Sequence, residues 1–204
     1  VILAGGGRHA LSVGTILHES GFKILGYTDV RPANLGWDYL GNDVEVVTSE
    51  RIDTMCVIVA IGTNTRIRER VFDHYVSSGM SFLTFKHLQS YVAGSAQVGK
   101  GCLLYPHTFV GADVVLGKNV HVCAGAVIEH GTTIGDHSYI APGAIIAGDV
   151  RVGTNCMIGI NSTIMESINV ADYTILGAAS LLLHSVELPE QICKGVPAVC
   201  SKKS

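Results

Sequence analysis

From residue 92 onward, every sixth position is aliphatic. Val92, Val98, Leu104, Val110, Leu116, Val122, Ile128, Ile134, Ile140, Ile146, Val152, Ile158, Ile164, Val170, Leu176 and Leu182 keep that spacing unbroken. Four residues after most of them sits a small side chain, as at Ala96, Cys102, Thr108, Ala126, Thr132, Ser138, Ala144, Ser162 and Ser180; Ile168 is the main exception. Neither a helix nor a hairpin array has a period of six. It is the hexapeptide repeat of a parallel β-helix, in which the aliphatic fills a triangular prism and the small residue fits near a corner. Glycine follows many of the aliphatics, as at Gly99, Gly111, Gly117, Gly135, Gly153, Gly159 and Gly177, and is expected to permit the turn. Three hexapeptides close one coil, so residues eighteen apart stack. The repeat then spans about five coils, roughly 25 Å at the usual strand spacing. The tail from Glu187, with its KGVPA segment, is expected to cover one open end.

Residues 1 to about 85 follow a different rhythm. Val1–Ala4 reads as a short strand, and a helix follows, with Leu11, Val13, Ile16 and Leu17 on one face and Gly21 as its stop. KILGYTD reads as a strand ending at Asp29, residues 31–43 as loop, VEVV as a short edge strand, and MCVIVAIG as a buried strand. NTRIRERVFDHYVSSG reads as a helix with Ile67, Val71 and Tyr75 four apart, capped by Asn64 or Thr65 and ended by Gly79; SFLTF closes the half as a strand. The order implies a small parallel sheet with crossover helices. The expected organisation is a Rossmann-like domain over residues 1–85 and a β-helix domain over 86–204, an α/β plus all-β chain.

Composition narrows the function. The net charge of −3 offers no basic field for nucleic acid or an anionic membrane, and no apolar run is long enough to span one. Charged residues make up 15%, against roughly 25% in an average soluble domain, which suggests surface hidden in an oligomer. The six cysteines form no CxxC pair and read as reduced, mostly buried thiols of a cytoplasmic protein.

The chemistry concentrates at Glu129 and His130, directly after the inward Ile128 and so at a corner. Residues 112 and 148, eighteen away on either side, are Ala and Gly. His130 therefore has open space beside its ring and the Gly148 backbone one strand spacing away. A solvated corner residue is the plain reading. A zinc site of three histidines at an interface would need two five apart and a third two coils earlier; no such pair exists among the nine histidines, so no metal is expected. The remaining reading is a general base whose neutral imidazole takes a proton from an attacking amine or hydroxyl, with the Gly148 N–H holding the oxygen on which charge develops.

The whole chain resembles the PglD/NeuD-type sugar acyltransferases, which join a small Rossmann-like domain to a left-handed β-helix. The marks are VILAGGGRHA, VAIGTNTRIRERV, VIEHGTTIGDHSYIAPGAIIAGDVRVGTNCMIGINSTI and ILGAASLLLHS followed by GVPA. The resemblance implies an acetyl-CoA-dependent N-acetyltransferase of a nucleotide-linked 4-amino-4,6-dideoxy sugar, made for surface glycans. It also implies a homotrimer with active sites between subunits. It assigns His130 as general base, Gly148 as the thioester-carbonyl contact, and Gly148, Ile160 and Ala178 as acetyl-CoA contacts. Relatives often follow this histidine with Glu or Asp; here Gly131 follows it, so Glu129 or a neighbouring chain is left to orient the ring. A second histidine of some members is Tyr139 here. O-acetylation of a sugar such as a sialic acid, and a non-catalytic nucleotide-sugar-binding protein, are the alternatives.

GGGRHA fits G-x-G-x-x-A through Gly5, Gly7 and Ala10, between a strand and a helix, with Asp29 at the next strand's end. That pattern suggests a nicotinamide dinucleotide, but about 85 residues supply one small sheet and not two mononucleotide-binding halves. The same backbone suits one nucleotide diphosphate. With the resemblance, Gly5, Gly7, His9, Asp29, Gly62 and Asn64 are the candidate nucleotide-sugar contacts.

Overall fold

The computed structural model describes residues 1–47 and 55–202, which form two compact units, Val1–Thr84 and Phe85–Ser204.

In the first unit, β1 (Ile2–Ala4), β2 (Gly26–Thr28), β3 (Cys56–Val59) and β4 (Ser81–Phe82) make one parallel sheet in the order β2-β1-β3-β4. α1 (Arg8–Glu19) buries Ala10, Val13, Gly14 and Leu17. Gly14 is required there, because a β-carbon would fall 2.4 Å from the Trp37 ring and 2.8 Å from Leu3. The segment expected as loop is pinned to the sheet: Tyr27 N–H donates to Asp38 O and Leu40 N–H to Tyr27 O.

Two expectations change here. VEVV is not an edge strand but lies in α2 (Asp43–Val47). The cause is a capping box: Asn42 Oδ1 accepts from the N–H groups of Val44 and Glu45, and Asn42 N–H donates to the Glu45 carboxylate at 2.7 Å. α3 (Thr65–Ser77) is capped by Asn64 as expected, but its buried face is Thr65, Arg68, Phe72 and Tyr75. Ile67, the first of the expected four-apart apolar positions, is 38% exposed.

The second unit is a left-handed β-helix of about six turns. Two-residue strands stack into three parallel sheets with a register of eighteen, as in Val127↔Ile145 and His121↔Tyr139. The prism has one coil more than the repeat count suggested. SFLTF is not one strand: Phe85–Lys86 leaves the first unit's sheet and pairs with Leu103–Leu104 as the first rung. The inward aliphatics from Leu104 to Leu182 are at most 3% exposed. Small polar residues beside them hydrogen-bond locally, as where Thr132 Oγ1 donates to Ala147 O and accepts from Val150 N–H.

The turns differ from expectation. The glycines that follow the aliphatics do not carry the left-handed turn. That role falls two residues later, where every sixth residue from Gly101 to Ala179 has φ between 52° and 74°, filled by Asn, Asp, His, Gly, Ser, Tyr and Ala. The glycines serve close approach instead: a β-carbon at Gly135 would lie 2.5 Å from the Gly153 backbone on the next coil.

At the far end the register contracts. Val170 bridges Val186, and Gln191–Lys194 joins the eight-stranded sheet before turning back as an antiparallel hairpin with Val199–Lys202. Ala198 packs against the core, so this tail covers the end of the prism. Cys193 and Cys200 face each other across the hairpin and form a disulfide, contrary to the reading of all six as thiols. The turn between them brings them together. Cys56, Cys102, Cys123 and Cys156 are free, and burial pushes the Cys156 thiol up to about 12.

Candidate functional site

The first unit contains a cavity of about 520 Å³ at the carboxyl ends of β1 and β3. The chain leaves β1 for one edge of the sheet and β3 for the other, so this is the switch point where open parallel sheets bind ligands. Gly5, Gly7, His9, Asp29, Gly62 and Asn64 all line it. Gly5 has φ +122° and passes close to the Ala60 carbonyl. Gly6 lies against Asp29, whose carboxylate accepts from Gly6 N–H at 2.6 Å and from Val30 N–H at 2.7 Å. Asp29 therefore shapes the glycine turn. Gly7 caps α1 and has nothing within 4 Å of where a β-carbon would be, so its side opens onto the cavity. His9 is half-buried; burial, and then the Arg68 charge, lower its pKa to about 4, which leaves it neutral at pH 7. Asn64 Oδ1 caps α3, accepting from Ile67 N–H. Thr28, Asp43, Ile67 and Val71 also line the cavity and escaped the sequence reading. Their signal was weak because Asp43 fell in the expected loop, and Ile67 and Val71 read as the apolar positions of a helix.

In the β-helix, His130 occupies the corner between the strands Val127–Ile128 and Thr133–Ile134. Its ring lies directly over Gly148: a β-carbon there would be 2.6 Å from Cε1, 2.9 Å from Nε2 and 3.1 Å from Nδ1. His130 is exposed while Gly148 is buried beneath it. Gly131 has φ +68°, and the Asp149 carboxylate occupies the place its side chain would take, 2.2 Å from the missing β-carbon. Tyr139 lies on a different sheet, buried beside His121.

Ile160 and Ala178 stack on another corner, where Ala179 N–H donates to Ile160 O. That corner joins Met157–Ile158 to Thr163–Ile164, so the two pairs flank opposite edges of the six-stranded sheet. Both corners share one backbone property. The ladder uses the N–H before and after each inward aliphatic and the N–H of the left-handed residue, but not the one between. At Lys118 and Thr154, aspartates of the next coil accept that N–H. At Gly148, Ile160 and Ala178 it meets no acceptor among the described residues.

The three outer faces differ. The five-stranded sheet shows Gln97, Thr133, Arg151 and Asn169 to solvent, and the eight-stranded sheet has its outward Leu103, His121 and Tyr139 buried. The six-stranded sheet shows Tyr91 and Ile145, 57% and 46% exposed, with Tyr91 stacked on Phe109, and Met165 and Leu183, each the residue after one of its strands, are 43% and 41% exposed beside it.

The family described as the GMPPB C-terminal domain matches residues 87–195, more than half the chain, and the PglD N-terminal domain matches residues 1–75. No curated protein matches. Among solved structures, the chain is similar to PerB from Caulobacter crescentus in complex with CoA and GDP-perosamine, at 26% identity and a TM-score of 0.91, covering 98% of this chain and 96% of that one. A histidine-to-asparagine mutant of perosamine N-acetyltransferase from the same organism, with the same two ligands, gives 25% and 0.91 over 99% and 96%. The acetyltransferase domain of PglB from Neisseria gonorrhoeae shares the fold at 24% identity and a TM-score of 0.90, covering 97% of each chain.

Proposed function

The chain belongs to the PglD/PerB-type sugar acetyltransferases of the hexapeptide-repeat family, and from that premise we propose that it acetylates the 4-amino group of a nucleotide-linked 4-amino-4,6-dideoxy sugar. Acetyl-CoA is the cosubstrate, and the product serves surface glycans. The observation that carries the reading is the pairing of His130 with Gly148: an exposed imidazole over a glycine whose N–H has no acceptor among the described residues. His130 takes a proton from the sugar amine as its nitrogen attacks the thioester carbonyl carbon. The new C–N bond puts negative charge on the carbonyl oxygen, and the Gly148 N–H donates to it. Collapse breaks the C–S bond, and His130 returns the proton to the sulfur, leaving an amide and free CoA. No step uses a metal.

The unaccepted N–H groups of Ile160 and Ala178 suit the amides of a pantetheine arm lying along their corner. His130 and these two residues flank opposite edges of the sheet that exposes Tyr91 and Ile145, which supports a homotrimer with each active site shared between subunits. The cavity in the first unit, with its glycine turn and helix start, suits the nucleotide diphosphate of the acceptor. No helix among the described residues is long and apolar enough to cross a membrane, and the reading sets the reaction in the cytoplasm, where acetyl-CoA is made.

Thiol release from acetyl-CoA with a panel of UDP-, GDP- and dTDP-linked 4-amino sugars tests this directly. His130→Ala should lower kcat at least ~10²-fold with the best acceptor. Near-wild-type turnover by that variant removes His130 from the chemistry, and turnover of a hydroxyl acceptor alone makes the enzyme an O-acetyltransferase.

A further inference from the structure

The cavity at the glycine turn continues past Asp43. Asp43, Ile67 and Val71 also wall a second hollow of about 330 Å³, which Arg70 lines as well. The Asp43 carboxylate is held in place: Thr28 Oγ1 and Tyr75 Oη donate to Oδ1 at 2.6 and 2.7 Å, and both partners are fully buried. Oδ2 accepts no hydrogen bond among the described residues. Beside it, Ile67 and Val71 stand four apart on α3; Ile67 is 38% exposed, and Val71 is half-buried between the hollow and the core that holds Phe72 and Tyr75. Two aliphatic side chains next to a fixed acceptor make a seat for a flat ring that is apolar on its faces and a donor along one edge.

We propose that Asp43 selects guanine as the base of the acceptor nucleotide, an inference that rests on the nucleotide-sugar reading above. The ring seats on Ile67 and Val71. With Oδ1 engaged by Thr28 and Tyr75, the open Oδ2 accepts from guanine N1–H and the neighbouring exocyclic amine, two adjacent donors that converge on its two lone pairs. Arg70, three residues from Ile67 on the same helix, is the donor available to the acceptor atoms O6 and N7. Uracil and thymine offer a single N–H between two carbonyl oxygens. Against an immobile carboxylate that edge forms one hydrogen bond and sets two oxygens against its charge. A site built to accept two donors disfavours a base that lacks them, because its own half-buried carboxylate oxygen is left unpaired.

Calorimetric titration of the full chain with GDP, IDP, XDP, UDP and dTDP, without acetyl-CoA, tests the assignment in the wild-type protein. GDP should bind at least about 10-fold tighter than UDP or dTDP. IDP, which lacks the exocyclic amine, should lose about 10-fold, and XDP, which has a carbonyl there, should lose more. Asp43→Asn keeps the side-chain shape and should exchange the preference, weakening GDP and strengthening XDP, whose carbonyl accepts from the new amide. UDP or dTDP binding as tightly as GDP overturns the base assignment and leaves the nucleotide reading standing. If none of the five binds, both fall. Equal binding of GDP, IDP and XDP by wild type removes Asp43 from base recognition even if Asp43→Asn proves unstable.

Discussion

A single methyl group at residue 148 would collide with the imidazole of His130, so Gly148→Ala separates the chemistry of the site from the stability of the coil. The ring must rotate away to clear a β-carbon 2.6 Å from Cε1. Displacing a base by about an ångström costs up to ~10²-fold, so kcat should fall 10- to 100-fold while the melting temperature barely moves. His9 makes a prediction of a different kind. Above pH 6.5 it is neutral in both folded and unfolded chains; between 6.5 and about 4 only the unfolded chain takes the proton, so stability falls as pH falls and the loss is complete below about 4. Urea midpoints between pH 7 and 4 should therefore decline less steeply in His9→Gln than in wild type. Both residues were visible in the sequence, His130 through the period of six and His9 through the glycine motif. Asp43 was not, because its significance lies in two buried hydroxyls, at Thr28 and Tyr75, that no local pattern connects.

Elements were legible where one periodicity dominated. The aliphatic ruler from Val92 located the inward row from Leu104 to Leu182, because slipping by one residue would turn the whole row outward. It missed the first rung at Phe85, which belongs to a strand pair formed with residues eighteen positions ahead and not to its own neighbours in sequence. α2 was misread because four residues of VEVV suit a strand as well as a helix, and Asn42 with Glu45 decides between them. α3 was found, but an apolar pair facing a cavity looks the same in sequence as one facing a core. Between coils, Thr132 does what a small apolar residue cannot: it accepts the Val150 N–H while donating to Ala147 O. Thr132→Val keeps the volume and orphans that N–H, so unfolding free energy should drop by about 1–3 kcal/mol, measured by denaturant titration.

For the whole molecule, the difference among the three faces is the main guide to assembly. Monomers seldom gather several half-exposed apolar side chains on one face, and Tyr91 and Ile145 on the six-stranded sheet with Met165 and Leu183 beside it lie between the two corners that the proposed reaction needs. Ile145→Lys should convert the proposed homotrimer to monomers in light scattering. It should also abolish turnover while leaving the first unit's nucleotide binding intact, because Ile145 lies in the β-helix and not in the cavity.

The recurrence of a left-handed residue every sixth position from Gly101 to Ala179 gives this half of the chain something like a reading frame. Inserting one residue at a strand would shift every later side chain by one place, moving aliphatics to the turns and turn formers into the core. The chain can lengthen there only by looping out at a corner or by whole coils of eighteen, and the two places where its own register departs from eighteen, Val170↔Val186 and Ile175↔Ile192, are where the frame ends and the tail begins.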